Sequence, residues 1–275
     1  MENKRKYRLL FCDLDRTLVI DDHIPSFNLE AIKKAKEKGV KFVISTGRPY
    51  DYMAHILKEL NTENLENEYT ICNSGSVIYE NKNKKIIYFK GIEGEILKLV
   101  FEFGKKIKDI LIIFDTFEGS YTYNEGMQEK DKWKDYKFKE IKSLDDMKNI
   151  KIIRIIFFSE DYDYLLKIQK DINKDKNFEG KISNFITGKR FLEIYSFGVC
   201  KGEAIKWLSN YLNIDIKETI AIGDDNNDES MIKEAGLGCS VKNANDNIKE
   251  ISKYVCEKEF NEGSVKEVIE KFILN

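Results

Sequence analysis

One short stretch, Phe11 to Val19, restricts the possible folds of this chain more than any other. A run of apolar residues ends at Cys12, and two aspartates, Asp13 and Asp15, come just after it. An apolar run that stops so abruptly predicts a strand buried on both faces of a sheet. Residues two apart project to the same side of a strand, and α/β proteins bind ligands beyond the carboxyl ends of their strands. Because two close carboxylates repel each other, the pair predicts a metal site, a catalytic proton, or both.

The residues after this strand predict a βαβ unit, and hence a parallel sheet with a right-handed crossover. We expect a helix over Asn28 to Lys38, with Gly39 as its stop, and a second strand over Val40 to Ile44. The same pattern resumes late in the chain with a helix over Gly202 to Leu212 and a short strand over Thr219 to Ile222. The fold class predicted for these two parts is therefore α/β.

The middle of the chain has a different character. Residues 82–189 are richer in Lys, Glu and aromatic side chains, and their apolar residues alternate with polar ones. Such alternation is typical of an antiparallel sheet with one face in water. We therefore expect an α/β core domain formed by residues 1–81 and 190–275, with an α+β domain inserted at residues 82–189.

Charge and composition exclude several classes of protein. The 46 Lys and Arg residues nearly balance the 48 Asp and Glu residues, which predicts neither a nucleic-acid partner nor a membrane partner. Five scattered cysteines indicate a reducing cytoplasm rather than a disulfide framework or a zinc site. The charged segment Met1–Lys6 does not resemble a signal peptide, and no apolar run is long enough to span a membrane. With two histidines in the chain, a three-histidine metal centre is excluded.

Thr46 is a candidate phosphate-binding residue. It follows the second predicted strand, and Pro49 fits the first turn of the helix expected after it. The free amides and the dipole of a helix N-terminus favour a phosphate. An equally good interpretation is that Ser45 and Thr46 cap the helix.

A second acidic group follows the strand at Thr219 to Ile222. Asp224 comes after that strand and a glycine, as Asp13 comes after its own strand, and a hard cation such as Mg²⁺ between them would relieve both charges. Lys201 stands at a predicted helix start, where the dipole disfavours a cation. It is either a solvated surface lysine or a partner of a phosphate.

Taken in order, these segments resemble the motifs of the haloacid dehalogenase superfamily of phosphohydrolases, and more narrowly its Cof-like branch. The matching segments are Asp13-Leu14-Asp15-x-Thr17-Leu18, Ser45-Thr46-Gly47-Arg48, Asn73-Ser74-Gly75, Lys201-Gly202-Glu203-Ala204 and Gly223-Asp224-x-x-Asn227-Asp228-x-x-Met231. The resemblance implies a Rossmann-like parallel-sheet core with an α+β cap domain inserted between the second and third motifs.

The resemblance also implies a function. It predicts a Mg²⁺-dependent phosphatase that hydrolyses small phosphorylated metabolites, sugar phosphates above all, through an aspartyl-phosphate intermediate. Asp13 is then the nucleophile, and Asp15 is the general acid and base. The implied metal ligands are Asp13, Asp15 through its backbone carbonyl, Asp224 and Asp228; the implied phosphate-binding residues are Thr46, Gly47, Lys201 and Asn227; and the candidate contacts to substrate or cap are Arg16, Arg48 and Asn73.

Two departures from the family pattern leave alternatives open. Many relatives have glycine where this chain has Arg16, and the acid usually found near Gly263 is displaced to Glu262. Arg16 leaves open a catalytically idle phosphate-sensing protein as an alternative to the phosphatase. A phosphomutase, which would transfer the aspartyl phosphate back to a sugar instead of to water, is a second alternative. In each case we expect a small phosphorylated ligand and a monomer or weak homodimer.

Overall fold

The computed structural model describes residues 6–123 and 138–275. The described chain divides into two compact units. Residues 1–89 and 200–275 make the first, which we call the core unit, and residues 90–199 make the second, which we call the inserted unit. None of the helices in the described ranges combines the length and hydrophobicity that a membrane span requires.

The core unit is built on one eight-stranded sheet. Its strands are β1 (Leu9–Cys12), β2 (Lys41–Ser45), β3 (Tyr69–Cys72), β4 (Val77–Glu80), β5 (Lys85–Phe89), β12 (Thr219–Gly223), β13 (Leu237–Ser240) and β14 (Tyr254–Val255). The order across the sheet is β14-β13-β12-β1-β2-β3-β4-β5. The six strands from β14 to β3 are parallel, and β4 and β5 add an antiparallel edge. Because β1 lies between β2 and β12, residues that follow these three strands meet at the same edge.

The helices of the core unit are α1 (Ser26–Glu37), α2 (Ala54–Glu59), α5 (Lys201–Tyr211), α6 (Glu229–Glu234), α7 (Asp246–Ile251) and α8 (Ser264–Ile269). Four strands of this sheet, β1, β3, β12 and β13, are buried along their whole length. This confirms the predicted α/β class, because parallel strands covered by helices on both faces contain long apolar runs.

In its described residues the inserted unit contains six strands, which are β6 (Leu111–Thr116), β7 (Gly119–Tyr123), β8 (Lys139–Glu140), β9 (Ile152–Phe158), β10 (Ile182–Thr187) and β11 (Phe191–Ser196). They form a sheet of order β10-β11-β9-β6-β7-β8, antiparallel except between β7 and β8. Its helices α3 (Gly94–Gly104) and α4 (Tyr162–Lys174) bury apolar side chains against one sheet face. The predicted α+β class of the insertion is confirmed.

The second face of this sheet differs from the wet face that its alternating pattern predicts. All seven residues of β9 are buried, including Arg154. Its guanidinium donates to Asp115 at 2.7 Å and to Glu193 at 2.8 Å, and the hydroxyl of Tyr195 donates to the same glutamate at 2.7 Å. Mutual pairing of these charges explains why ionic side chains tolerate burial here.

The boundaries of the two units differ from those expected near residues 82 and 190. Strand β5 pairs with β4 and so extends the core sheet to Phe89. Strand β11 pairs with β9 and β10, which keeps the chain in the inserted unit as far as Val199. Both shifts arise from strand pairing, which the change in composition along the sequence does not report.

Candidate active site

Asp13 directly follows β1, at the edge of the sheet where the strand ends. Its backbone N–H donates to the carbonyl of Ile222 at 2.9 Å, so the pairing of β1 with β12 extends one residue past the strand. Only 5% of Asp13 is exposed. The fully buried strand before it therefore fixes the backbone that presents this carboxylate.

Asp228 closes the loop that carries Asp224. One oxygen of its carboxylate, Oδ2, accepts the backbone N–H groups of Asp224 at 3.0 Å and Asp225 at 3.2 Å. Gly223 makes this possible, since a Cβ atom there would lie 2.5 Å from that oxygen. The glycine is therefore required by the close approach of Asp228 to the end of β12.

Lys201 is the first residue of α5 and is completely buried. Its Nζ donates to Oδ1 of Asp13 and to Oδ1 of Asp228, each at 2.5 Å. Burial opposes the charge, but the two carboxylates outweigh it and raise the pKa of the ammonium above its usual value. Of the two interpretations of Lys201 from the sequence, the surface lysine is wrong.

The start of α5 is held by a tight bend at Asn73–Gly75. Asn73 and Ser74 have left-handed φ angles of 49° and 54°. Gly75 has φ of 100°, and a Cβ atom there would lie 2.4 Å from the carbonyl oxygen of Cys200. The bend therefore lies directly against the residue that precedes Lys201.

Asp13, Asp224 and Asp228 form a buried group whose ligand atoms all lie within 4.8 Å of one another. Burial, and then the charge of Asp228, raise the pKa of Asp13 above its usual range and that of Asp224 to about 7. Lys201 and Arg16, whose Nε lies 3.7 Å from Oδ2 of Asp224, place two positive charges against three carboxylates, so the ionised group keeps an excess of negative charge. Hard carboxylate oxygens and uncompensated charge are what a divalent cation requires, and the residues fit one.

Asp15 has a different environment from Asp13. Its side chain is 55% exposed, and both carboxylate oxygens are engaged by the guanidinium of Arg48. Nε of Arg48 donates to Oδ2 at 3.0 Å, and Nη2 donates to Oδ1. The structure thus separates the two aspartates that the sequence presents as a pair.

Arg16 and Thr17 both lie beside Asp224. Nε of Arg16 is 3.7 Å from Oδ2 of Asp224, and the hydroxyl of Thr17 donates to Oδ1 at 3.3 Å. Arg16 has φ of 59°, a left-handed angle that glycine adopts without strain. This angle gives a physical reason for the glycine that the family pattern has at this position.

The remaining predicted residues lie around these groups. Thr46 is 1% exposed at the end of β2, and its Oγ1 accepts the backbone N–H of Arg48 at 3.1 Å. Gly47 lies against Ser74, since a Cβ atom there would be 3.4 Å from Oγ of that serine. Asn73 is buried, and its Nδ2 has no hydrogen-bond partner within the described ranges. Asn227 is half-buried in the turn Asn226–Asp228.

Sequence reasoning missed two residues that contact the site. Asp22 accepts from Nη1 of Arg48 at 2.5 Å, and His55 lies 3.0 Å from the carboxylate of Asp22. Neither belongs to a motif that the sequence resembles, although His55 lies in the helix expected after Pro49. Their contacts depend on a turn after β1 that no glycine or proline marks.

Comparison with known proteins gives consistent matches. A family model described as haloacid dehalogenase-like hydrolase matches residues 10–269. The chain is 30% identical over 243 residues to a protein called a putative phosphatase from Buchnera aphidicola, covering 86% of this chain and 87% of that one. It is 26% identical to the 5-amino-6-(5-phospho-D-ribitylamino)uracil phosphatase of Bacillus subtilis, covering 95% and 94%. A crystal structure of a haloacid dehalogenase-like hydrolase from Bacteroides thetaiotaomicron is similar with a TM-score of 0.78 and 25% identity, covering 97% and 99%.

Proposed function

The chain belongs to the haloacid dehalogenase-like hydrolases and is a phosphatase, and we propose that it hydrolyses small phosphorylated metabolites with Mg²⁺ as its cofactor. The observation that carries the proposal is the buried group of Asp13, Asp224 and Asp228, with Lys201 bound to two of them. We propose sugar phosphates as the first substrates to test. The Bacillus relative, whose name specifies a small phosphorylated molecule, supports this size of substrate.

Asp13, Asp224 and Asp228 are the side chains that would hold the cation, with the backbone carbonyl of Asp15 as a further ligand. When bound, Mg²⁺ supplies positive charge between a carboxylate and a phosphate, which otherwise repel each other. The raised pKa values of Asp13 and Asp224 support this assignment, because a cation favours the ionised form of both.

Asp13 is the proposed nucleophile. Its carboxylate oxygen forms a bond to phosphorus as the bond from phosphorus to the leaving oxygen breaks, which leaves an aspartyl phosphate. Asp15 gives a proton to the leaving oxygen in this step. It then takes a proton from the water that attacks phosphorus, which releases phosphate and restores Asp13.

Lys201, Thr46, Gly47 and Asn227 are the proposed phosphate-binding residues. The buried ammonium of Lys201 touches Asp13 and so lies where charge accumulates during the transfer. Because Oγ1 of Thr46 accepts a backbone N–H, its own hydrogen can be donated to a phosphoryl oxygen.

Arg16, Arg48 and Asn73 are the proposed contacts to substrate or cap. The unpaired donor of Asn73 supports its place among them, since a buried donor without a partner is costly.

The function is tested by phosphate release from a broad panel of phosphorylated sugars, nucleotides and cofactors, with and without Mg²⁺. The Asp13→Asn variant keeps the size of the side chain and removes the nucleophile, so it serves as the blank. Release that requires both Mg²⁺ and Asp13 supports the proposal, and release equal to the blank across the panel contradicts it. Isomerised sugar phosphate in place of free phosphate would identify a phosphomutase.

The cytoplasm is the proposed location, because all five cysteines are free and four of them are buried, as in proteins of reducing compartments. For the assembly we propose a monomer or weak homodimer. Sedimentation at several protein concentrations tests the second point.

A further inference from the structure

Arg48 is shared between two carboxylates on the same side of the core unit. It makes two hydrogen bonds to Asp15, and its Nη1 donates to Oδ1 of Asp22 at 2.5 Å. Asp22 is not part of any motif that the sequence resembles. A guanidinium has five N–H donors in a fixed plane, so it can bind both carboxylates at once.

The turn that carries Asp22 has an unusual backbone. Ile20 and His23 exchange backbone hydrogen bonds of 2.9 Å in both directions, which leaves Asp21 and Asp22 as the two central residues. Their φ angles are 47° and 65°, both left-handed. Turns with two left-handed central residues are dominated by glycine, asparagine and aspartate. Two aspartates therefore suit this turn, which places the carboxylate of Asp22 against Arg48.

His55, from α2, fixes the other side of Asp22. Its Nε2 lies 3.0 Å from Oδ2 of Asp22 and 2.9 Å from the backbone oxygen of the same residue. Since both of these atoms are acceptors, this ring nitrogen carries the hydrogen. The carboxylate of Asp22 is thus held between an imidazole and a guanidinium, and the contact with Arg48 lowers its pKa.

Stability alone does not account for this arrangement. The side chains of Asp15 and Asp22 are 55% and 51% exposed, and exposed ion pairs contribute about 0–1 kcal/mol. The proposed reaction gives the contacts of Arg48 a functional role. Both oxygens of Asp15 are bound to Arg48, so one of them must leave the guanidinium before it can reach a substrate oxygen.

We propose that Asp22 is a positioning residue for proton transfer by Asp15, because it shares the charge of Arg48 through Nη1 and so weakens the hold of the guanidinium on Asp15. This inference rests on the proposed function, in which Asp15 protonates the leaving group. Without Asp22, the whole charge of Arg48 acts on Asp15, and the proton carrier is held more tightly. A variant without Asp22 should therefore lose most activity on esters whose leaving group must be protonated.

The test compares two kinds of ester. An alkyl phosphate has a strongly basic leaving group, whereas p-nitrophenyl phosphate leaves without help from an acid. We expect Asp22→Asn to lower kcat/KM for the best alkyl substrate of the panel about tenfold more than for p-nitrophenyl phosphate, which is a part of the factor of about 10²–10⁴ that general acids contribute. Asp21→Asn is the matched control, since it changes the same turn at a residue that is not among the described partners of Arg48, and we expect equal effects on both esters.

A second pair of variants guards against misfolding. His55→Phe removes the hydrogen bond to Asp22 and leaves the sequence of the turn intact, so we expect the same selective loss at smaller size. His55→Gln keeps an N–H donor, and we expect it to restore most of the alkyl activity. Thermal denaturation of each variant shows whether it is folded.

The outcomes separate the two proposals. If Asp13→Asn is as active as the wild type, the proposed function is wrong. If Asp13→Asn is inactive but Asp22→Asn lowers both esters equally, or lowers neither, the positioning role is wrong and the function stands. Should Asp22→Asn not fold, equal effects of His55→Phe on both esters overturn the role in the same way.

Discussion

Replacing Lys201 by methionine tests the charge balance of the site. The change removes the ammonium that contacts both Asp13 and Asp228 at 2.5 Å, and it keeps an unbranched apolar side chain in the buried space. Breaking a buried ion pair by removing one partner costs about 3–5 kcal/mol. For a chain of this size, about 2–4 °C of Tm accompanies each kcal/mol, so we expect a Tm lower by roughly 6–20 °C.

The decrease in Tm caused by Lys201→Met should also depend on pH. Asp13 and Asp224 have raised pKa values in the folded protein, so each destabilises the fold when ionised, and stability falls as pH rises toward the folded pKa. At pH 6 the remaining carboxylates take up protons more easily than at pH 8. We therefore expect Lys201→Met to lower the Tm less at pH 6 than at pH 8.

The assay is calorimetry of the metal-free protein at both pH values. Lys206→Met is the matched control, because Lys206 lies on the same helix and pairs with Glu203 at the surface, where an ion pair contributes about 0–1 kcal/mol. Adding Asp228→Asn to Lys201→Met should recover part of the loss, since one repelling charge is removed. A Tm for Lys201→Met that equals that of Lys206→Met at pH 8 would refute the reasoning.

Three further predictions concern the same loops. Gly223→Ala places a Cβ atom 2.5 Å from the carboxylate of Asp228, so we expect a loss of about 1–3 kcal/mol in urea denaturation, and an unchanged midpoint contradicts the close contact. The affinity for Mg²⁺ should rise between pH 6 and 8, because Asp224, with a pKa of about 7, must lose its proton to bind a cation; calorimetric titration would show a flat profile if this is wrong. Arg16→Gly removes a left-handed angle that costs about 1–2 kcal/mol, of which about 0.4–1 is offset by the freedom of glycine in the unfolded chain, so we expect a slightly more stable protein. The same variant loses a cation 3.7 Å from Asp224, so tighter binding of Mg²⁺ is expected, and weaker binding contradicts it.

The core of the fold was predictable because its signals are local. The apolar run before Asp13 predicted β1, and the strand, helix and strand that open the chain appear as β1, α1 and β2. The helix predicted from Gly202 begins one residue earlier, at Lys201. By contrast, β14 (Tyr254–Val255) was missed, because a two-residue strand has no period of its own.

The geometry of the site was only partly accessible from sequence. The spacing of Asp13 and Asp224 after two strands predicted their meeting, because parallel strands end at one edge. The burial of Lys201 was not predictable, since the sequence does not report that a carboxylate lies on each side of it. Asp22 was missed because it belongs to no motif, and its contact with Arg48 joins residues 26 positions apart in the sequence.

The position of β1 has a consequence for synthesis on the ribosome. Strand β2 follows it closely, but its other neighbour, β12, begins about 210 residues later, with Thr219 paired to Leu9. At about 5–20 residues per second, one edge of β1 waits roughly 10–40 s for its partner. The inserted unit is continuous in sequence and can complete its own sheet during this interval. A nascent chain would therefore carry an apolar, half-paired strand next to Asp13 until late in translation, at the stage when chaperones bind, and the catalytic centre would be among the last parts to assemble.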